Sequence, residues 1–258
     1  IKNISMKNVM IFLFAVFAML NVACTKTDVS EAKKSPQSFD EDLNSYVSEQ
    51  KEILHGLTTR STSTTLTSEE IAAIAIKMDS VTLKFYNEHP KFVNSLPKVS
   101  EEQMEVLKEN PDSLMTFVQR NYSEEVFNIV KEDLGSDRFI LLEPSNISSA
   151  SNVQRDKFVK ANLEINRDFK EVITENAANT YKPLIQESNK RTDCYKRYKN
   201  KVDNCYSTMM RSLILASISS VNPIGAITLS LSLLYIASDY NQCLYNASEF
   251  YYLCNGQK

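Results

Sequence analysis

Four of the five cysteines in this chain fall into two pairs of equal spacing: ten residues separate Cys194 from Cys205, and ten separate Cys243 from Cys254. Along an α-helix, a step of eleven residues returns to within about 20° of its starting direction, so each pair presents two sulfurs on one helical face, three turns apart. Cys194 with Cys254, and Cys205 with Cys243, are both centred on residue 224, inside Asn222-Pro223-Ile224-Gly225, a helix-breaking sequence. An antiparallel hairpin turning there would bring the pairs together, and the spacing predicts disulfides Cys194–Cys254 and Cys205–Cys243. Zinc is the weaker reading, because it favours closer thiolate spacing or histidine partners and the two histidines, His55 and His89, lie far away in sequence. A redox dithiol would favour C-x-x-C, which is absent. Neither a metal nor another cofactor is therefore expected. On a chain-entropy view, closing loops of this size contributes about 3 to 4 kcal/mol per bridge.

The two C-x10-C segments resemble the twin-cysteine helical hairpins of the CHCH type, with ten intervening residues instead of nine. The resemblance is architectural and implies no shared activity. Such bridges persist in oxidising compartments, which directs attention to export and to the fifth cysteine. Val9 to Leu20 is an unbroken apolar run preceded by Lys7. It has the length of a signal-peptide core and falls short of the roughly 20 residues that cross a bilayer. Met6-Lys7-Asn8 reads as the start, with residues 1–5 upstream of it. The apolar run leads into Leu20-Asn21-Val22-Ala23-Cys24, which resembles the lipobox of bacterial lipoproteins and departs from it at Asn21, where Leu is commonest. The resemblance implies cleavage before Cys24 and lipidation of Cys24, including a palmitate-type acyl chain, so that the chain meets a membrane through a lipid anchor. Thr25 is not the Asp that retains some lipoproteins at the inner membrane, so the implied address is the outer membrane of a Gram-negative bacterium, such as one of the Bacteroidota.

The elements that must position the cysteines are predicted to be helices. Four glycines in 258 residues are too few for a fold rich in tight turns. Reciprocal capping signatures occur at Ser38-Phe39-Asp40-Glu41, Thr67-Ser68-Glu69-Glu70 and Ser100-Glu101-Glu102-Gln103, and Asn110-Pro111 adds an N-cap followed by first-turn proline. Ile71, Ile74, Ala75, Met78, Val81 and Phe85 recur at helical intervals, as do Phe158, Ile165, Phe169 and Val172. The expected fold is all-α: amphipathic helices followed by a C-terminal, disulfide-stapled antiparallel helical hairpin. The expected organisation is a signal peptide over 1–23, a lipidated cysteine and flexible tether over 24–38, an N-terminal helical region over 39–143 and a C-terminal helical region over 152–258. Polar stretches at 57–66 and 144–152 mark the breaks.

Between Arg211 and Asp239 run 27 consecutive uncharged residues. A straight helix would hold Cys205 and Cys243 about 57 Å apart, so bridging excludes a single membrane span. Folded back, each arm of about 15 residues is short of the hydrocarbon core, and two destinations remain: a protein core or partial insertion into a bilayer. Ser212, Ala216 and Ser220 on one arm, with Ser232 and Ala237 on the other, allow close approach of the two helices. Beside Cys194, Lys190, Arg191, Lys196, Arg197, Lys199 and Lys201 form a basic cluster that is a candidate surface for a membrane or protein partner. Eight of the twelve tyrosines lie between Tyr195 and Tyr252, and the hairpin register sets Glu249 opposite Lys199 as an expected ion pair.

The formal net charge is −3, and removing Lys2 and Lys7 with residues 1–23 leaves 27 basic against 32 acidic side chains, or −5. That balance argues against nucleic acid as a partner. Glu69-Glu70, Glu101-Glu102 and Glu124-Glu125 sit where first helical turns are expected, so capping accounts for them without acid–base chemistry. Ser30-Glu31-Ala32-Lys33 and Ser95-Leu96-Pro97-Lys98 match S-x-x-K but lack its partner motifs. The sequence therefore leads to a non-catalytic envelope lipoprotein with a binding or scaffolding role. A membrane-active helical hairpin of toxin-like character is the alternative.

Overall fold

A computed structural model describes residues 38–58, 66–135, 152–181, 193–219 and 232–256. The described residues form helices α1 (Phe39–Thr58), α2 (Ser68–Glu88), α3 (Pro90–Val93), α4 (Glu101–Glu109), α5 (Pro111–Asn121), α6 (Glu124–Asp133), α7 (Val153–Tyr181), α8 (Asp193–Ile218) and α9 (Leu233–Cys254), with no strand among them. The expected all-α class and C-terminal hairpin are observed. The predicted turn at 222–225, Ser220 and the apolar residues Ile227, Leu229 and Leu231 lie outside the described residues.

Each anticipated helix start is built by side chains that satisfy otherwise free backbone N–H groups. At α1 the Glu41 N–H donates to Ser38 Oγ (3.3 Å) while Glu41 Oε2 accepts from the Ser38 N–H (3.0 Å). Thr67 with Glu70 and Ser100 with Gln103 repeat this reciprocal arrangement at α2 and α4. Asn110 Oδ1 accepts from Asp112 and Ser113 at α5. The paired glutamates 69–70, 101–102 and 124–125 occupy first turns of α2, α4 and α6. Gly135 follows the end of α6 with φ +83°, a left-handed conformation that glycine adopts without a Cβ clash.

Residues from both predicted helical regions share one core within the compact unit formed by Ser38–Lys258. Phe158 of α7 lies at an aromatic junction, with its ring centroid 5.7 Å from Tyr46, 5.3 Å from Phe85, 5.7 Å from Tyr86 and 4.9 Å from Phe92. Helix α1 packs on α2 and α7, α7 on α8, and α9 on α8, α2 and α7. Of the apolar positions read from the sequence, Ile71, Ile74, Ala75, Met78, Phe85, Phe158, Ile165 and Phe169 are buried, while Val81 and Val172 are only partly covered.

A seam of hydrogen-bonded polar groups crosses this core. The Tyr46 hydroxyl donates to Asn162 Oδ1 (2.6 Å), and Gln50 Nε2 donates to the Met78 carbonyl and Thr82 Oγ1 (both 3.0 Å). Asn166 Nδ2 donates to the Leu213 carbonyl (3.1 Å) and to Ser217 Oγ (2.8 Å), fixing α7 against α8. Tyr122, fully buried after α5, donates to the Ile218 carbonyl at the end of α8. Buried amides and hydroxyls are costly unless paired, so these bonds select one alignment of helices over alternatives that an apolar core would tolerate.

Helix α9 begins on a cap supplied from a distance. Ser232 Oγ accepts from the Tyr235 N–H, and the Asp79 carboxylate of α2 accepts from Leu233 (3.1 Å) and Leu234 (3.5 Å). Burial pushes the Asp79 carboxyl from its ordinary 3.8 up to about 7, opposed by the two backbone donors, which favour the charged form. The folded chain thus holds this proton more firmly than the unfolded chain. Its stabilising contribution is complete below about 3.8 and is lost as pH rises through about 7. Asp79→Ala, which deletes the cap, is expected to lower the unfolding free energy by about 1 to 2 kcal/mol. Asp79→Asn keeps an acceptor without a buried charge, so chemical unfolding with the bridges intact should show it gaining on wild type between pH 5 and pH 8. Parallel pH profiles for the two proteins would show that Asp79 does not titrate in this range.

Candidate functional site

The candidate site is the end of the hairpin where α8 begins and α9 finishes. Helix α8 is rich in charge through Asp203 and, apart from Arg211, uncharged and mostly apolar from Met209 onward, with Cys205 the first buried residue along it. On the core side of that position Met209, Met210, Leu213, Ile214, Leu215 and Ile218 are buried. On the outer side, over 193–204, most of its residues face solvent.

Sulfur fixes the two helices at both levels. Cys205–Cys243 and Cys194–Cys254 are bonded, with Cα atoms 5.8 Å apart in each bridge, and two bonds in opposite order along the chain make α8 and α9 antiparallel. Cys205 is buried and Cys243 is packed against the core, whereas Cys254 is exposed and Cys194 is half-buried. All four sulfurs are therefore committed to each other and not to a metal.

Lys196, Arg197, Lys199 and Lys201 are exposed on the first three turns of α8; Lys190, Arg191 and Cys24 lie outside the described residues. At 100° per residue, Arg197 and Lys201 share one stripe of the helix, and Lys196 with Lys199 share another. The four cations thus wrap around the helix instead of forming one flat patch. Lys196 Nζ is 3.8 Å from Asp193, with both side chains well exposed, and Lys201 Nζ lies 4.9 Å from the centre of the Phe250 ring. The expected Lys199–Glu249 ion pair is not formed. Both side chains point into water, where an isolated surface pair has little to offset the entropy of holding two flexible chains.

Tyrosines tie the outer turns together. Ring centroids run from Tyr195 to Tyr198 (6.4 Å), from Tyr198 across to Tyr251 of α9 (5.4 Å), and on to Tyr252 (6.1 Å). Partial burial raises the Tyr198 hydroxyl above its usual range, while its hydrogen bond with Ser248 pulls the other way. Tyr251 is fully buried, yet it and Ala247 stand apart from the main core. The outer turns therefore have a small packing cluster of their own. Around it Tyr245, Tyr252 and Leu253 are exposed, as is Tyr206 on α8. The sequence located this ring-rich end but could not divide its tyrosines into buried and exposed sets.

Where the uncharged run meets charge, a second group forms that the sequence reading did not single out. Arg211 Nε donates to the Lys108 carbonyl at the end of α4, and Lys108 Nζ reaches Glu105 (3.1 Å). Burial lowers the pKa of Arg211 and raises that of Asp239. These residues bind α4 to the hairpin. Ser95 Oγ donates to the Phe92 carbonyl at the end of α3, which gives this S-x-x-K serine a structural task. Among the described residues no group of three or more His, Cys, Asp or Glu side chains is placed to hold a metal ion, and no helix is long and apolar enough to cross a membrane.

Comparison of the chain with protein-family models, with curated proteins and with solved structures finds no match.

The two bridges differ in what surrounds them, and paired replacements should separate their roles. Either Cys194→Ala with Cys254→Ala, or Cys205→Ala with Cys243→Ala, is expected to lower the unfolding free energy by about 3 to 4 kcal/mol through the unfolded chain. Amide exchange should localise the effect: the outer pair loosens residues 193–204 and spares 213–218, while the inner pair lowers protection over 213–218. Equal loss of protection in both segments for both variants would mean that the hairpin opens as one unit.

Proposed function

We propose that this protein is a non-catalytic envelope lipoprotein, anchored through lipid on Cys24, whose helical body binds or scaffolds another envelope component. The observation that carries the reading is the sequence Leu20-Asn21-Val22-Ala23-Cys24 at the end of an apolar run, followed by polar residues up to Ser38. The compact helical unit begins at Ser38, where the polar stretch ends in the sequence. A tether of that length allows a root-mean-square reach of about 20 Å, enough to leave a body free to meet partners near the membrane. The stapled hairpin supports the binding role, because the backbone that carries the exposed tyrosines and cations has little conformational freedom left to lose on contact.

The alternative, insertion of the hairpin arms into a target bilayer, draws on the same uncharged run. Burial of Leu213, Ile214, Leu215 and Ile218 in the core weighs against it. Each such side chain gains about 1.5 to 3 kcal/mol from burial, so leaving the core for lipid replaces one apolar environment by another while breaking the Asn166 and Tyr122 hydrogen bonds.

Metabolic labelling with a fatty-acid analogue and envelope fractionation test the main reading. Wild type is expected in the membrane fraction with label, and Cys24→Ser is expected to lose the label and leave that fraction. Recovery of unlabelled wild type in the soluble cytoplasmic fraction would overturn the anchor. For the binding role, Lys196→Gln, Arg197→Gln, Lys199→Gln and Lys201→Gln combined should leave thermal stability nearly unchanged and reduce cross-linking to envelope partners; undiminished cross-linking would remove this end of the hairpin from the interface.

A further inference from the structure

The outer bridge has a chemistry that the inner bridge lacks. Cys254 is the last residue of α9 and is exposed, whereas Cys205 is buried and Cys243 half-buried, so the outer bridge is the one set nearer to an incoming thiolate. Its partner Cys194 is the second residue of α8, in the first helical turn, where backbone N–H groups have no intrahelical acceptor and the helix dipole favours negative charge. Thiols so placed ionise more readily, and a more acidic thiol is the better leaving group in disulfide exchange. Of the exposed cations in the next turn and a half, Arg197, three residues on, lies on the Cys194 side of α8, while Lys196 and Lys199 lie round the far side of the helix; Asp193 is the acid beside Cys194 on α8, and Glu249 stands on the facing end of α9. Cys254, by contrast, stands at a helix C-terminus, where a thiolate meets the carbonyl end of the dipole.

The inner bridge has neither advantage. Cys205 is 3% exposed in mid-helix, and Cys243 lies in mid-helix against the core. Opening it would disturb the burial of Met209 and Leu213 one and two turns away. Tyr251 and Ala247 form a small cluster of their own beside the outer turns, and of the apolar side chains over 193–204 only Val202 reaches the main core, so these turns can respond to a broken bridge with little disturbance of the body.

We propose that Cys194–Cys254 is a directional thiol–disulfide exchange site for a dithiol reductant, with Cys254 the attacked sulfur and Cys194 the leaving thiolate, while Cys205–Cys243 remains a structural bond. A reductant thiolate attacks Cys254 Sγ, a new S–S bond forms to Cys254, and the Cys194–Cys254 bond breaks with its electron pair going to Cys194. The second thiol of the reductant then attacks its own sulfur in the mixed disulfide, releasing Cys254 as a thiolate. Two electrons pass to the protein, the reductant becomes a disulfide, and the two protons of the dithiol end on Cys194 and Cys254 or in solvent. The inference goes beyond the anchoring reading and stands without it.

The test uses the oxidised full chain under native conditions. A monothiol, glutathione, traps the first step, and acid quenching, alkylation and peptide mass spectrometry then identify each sulfur. The expected result is glutathione on Cys254, alkyl label on Cys194 and an intact Cys205–Cys243 bond, with the outer bridge reacting at least about tenfold faster than the inner. A predominance of glutathione on Cys194 would overturn the direction. Opening of both bridges at one rate, or of the inner first, would overturn the site. Dithiothreitol supplies the second readout: selective reduction should raise amide exchange over 193–204 while residues 213–218 keep their protection, and a simultaneous rise in both segments would also reject the proposal.

Discussion

A covalent bond between Cys205 and Cys243 forbids the course that the surrounding sequence would otherwise take. Residues 212–238 carry no charge and would satisfy a membrane helix by composition, but a chain bonded to itself across that run must double back. Once doubled, its apolar residues require a covering, and α2 and α7 supply it. The rest of the molecule can be understood as the answer to that demand: helices from the N-terminal region close over the hairpin, and polar residues along α7 fix the orientation in which they do so.

The one-dimensional signals found the helix starts because a capping box is local. Ser38 with Glu41, Thr67 with Glu70 and Ser100 with Gln103 each involve residues three apart, so no tertiary information is needed. The disulfide pairing was legible for a related reason: equal spacing within each pair and a shared centre convert a three-dimensional register into arithmetic on residue numbers. Less legible were contacts whose partners have no local relation. Asp79 looks like an ordinary polar residue on the solvent side of α2, and nothing near it in sequence points to Leu233 and Leu234. Asn162 and Asn166 interrupt the apolar face of α7 and weaken its periodic signal, although they are buried and serve Tyr46, Leu213 and Ser217. The caps at Ser123, Asn152 and Ser232 use the same local chemistry as the anticipated ones, but three residues on they have Val126, Arg155 and Tyr235 in place of the Glu or Gln that completes a capping box.

At the candidate site, sequence placed the cations and rings at one end of the hairpin but not their sides. Helical spacing shows that Lys196, Arg197, Lys199 and Lys201 do not share a stripe, and they spread their charge over a broad arc of α8. The absent Lys199–Glu249 pair illustrates the limit of register arguments: two residues at the same height on neighbouring helices can still point outward on separate faces.

The eleven-residue step within each cysteine pair also defines a competing product of oxidative folding. Sliding α9 along α8 by three turns, about 16 Å, sets Cys194 opposite Cys243 while every sulfur keeps its facing direction. Such a slipped hairpin would hold a single bond and leave Cys205 and Cys254 unpaired, so the facing direction of the sulfurs does not distinguish the two alignments, whereas the number of bonds does. The noncovalent contacts favour the same alignment. Sliding would withdraw Leu233 and Leu234 from Asp79, and the start of α9 would lose its distant cap. Asp79 of α2 thus favours a sulfur pairing in which it takes no covalent part.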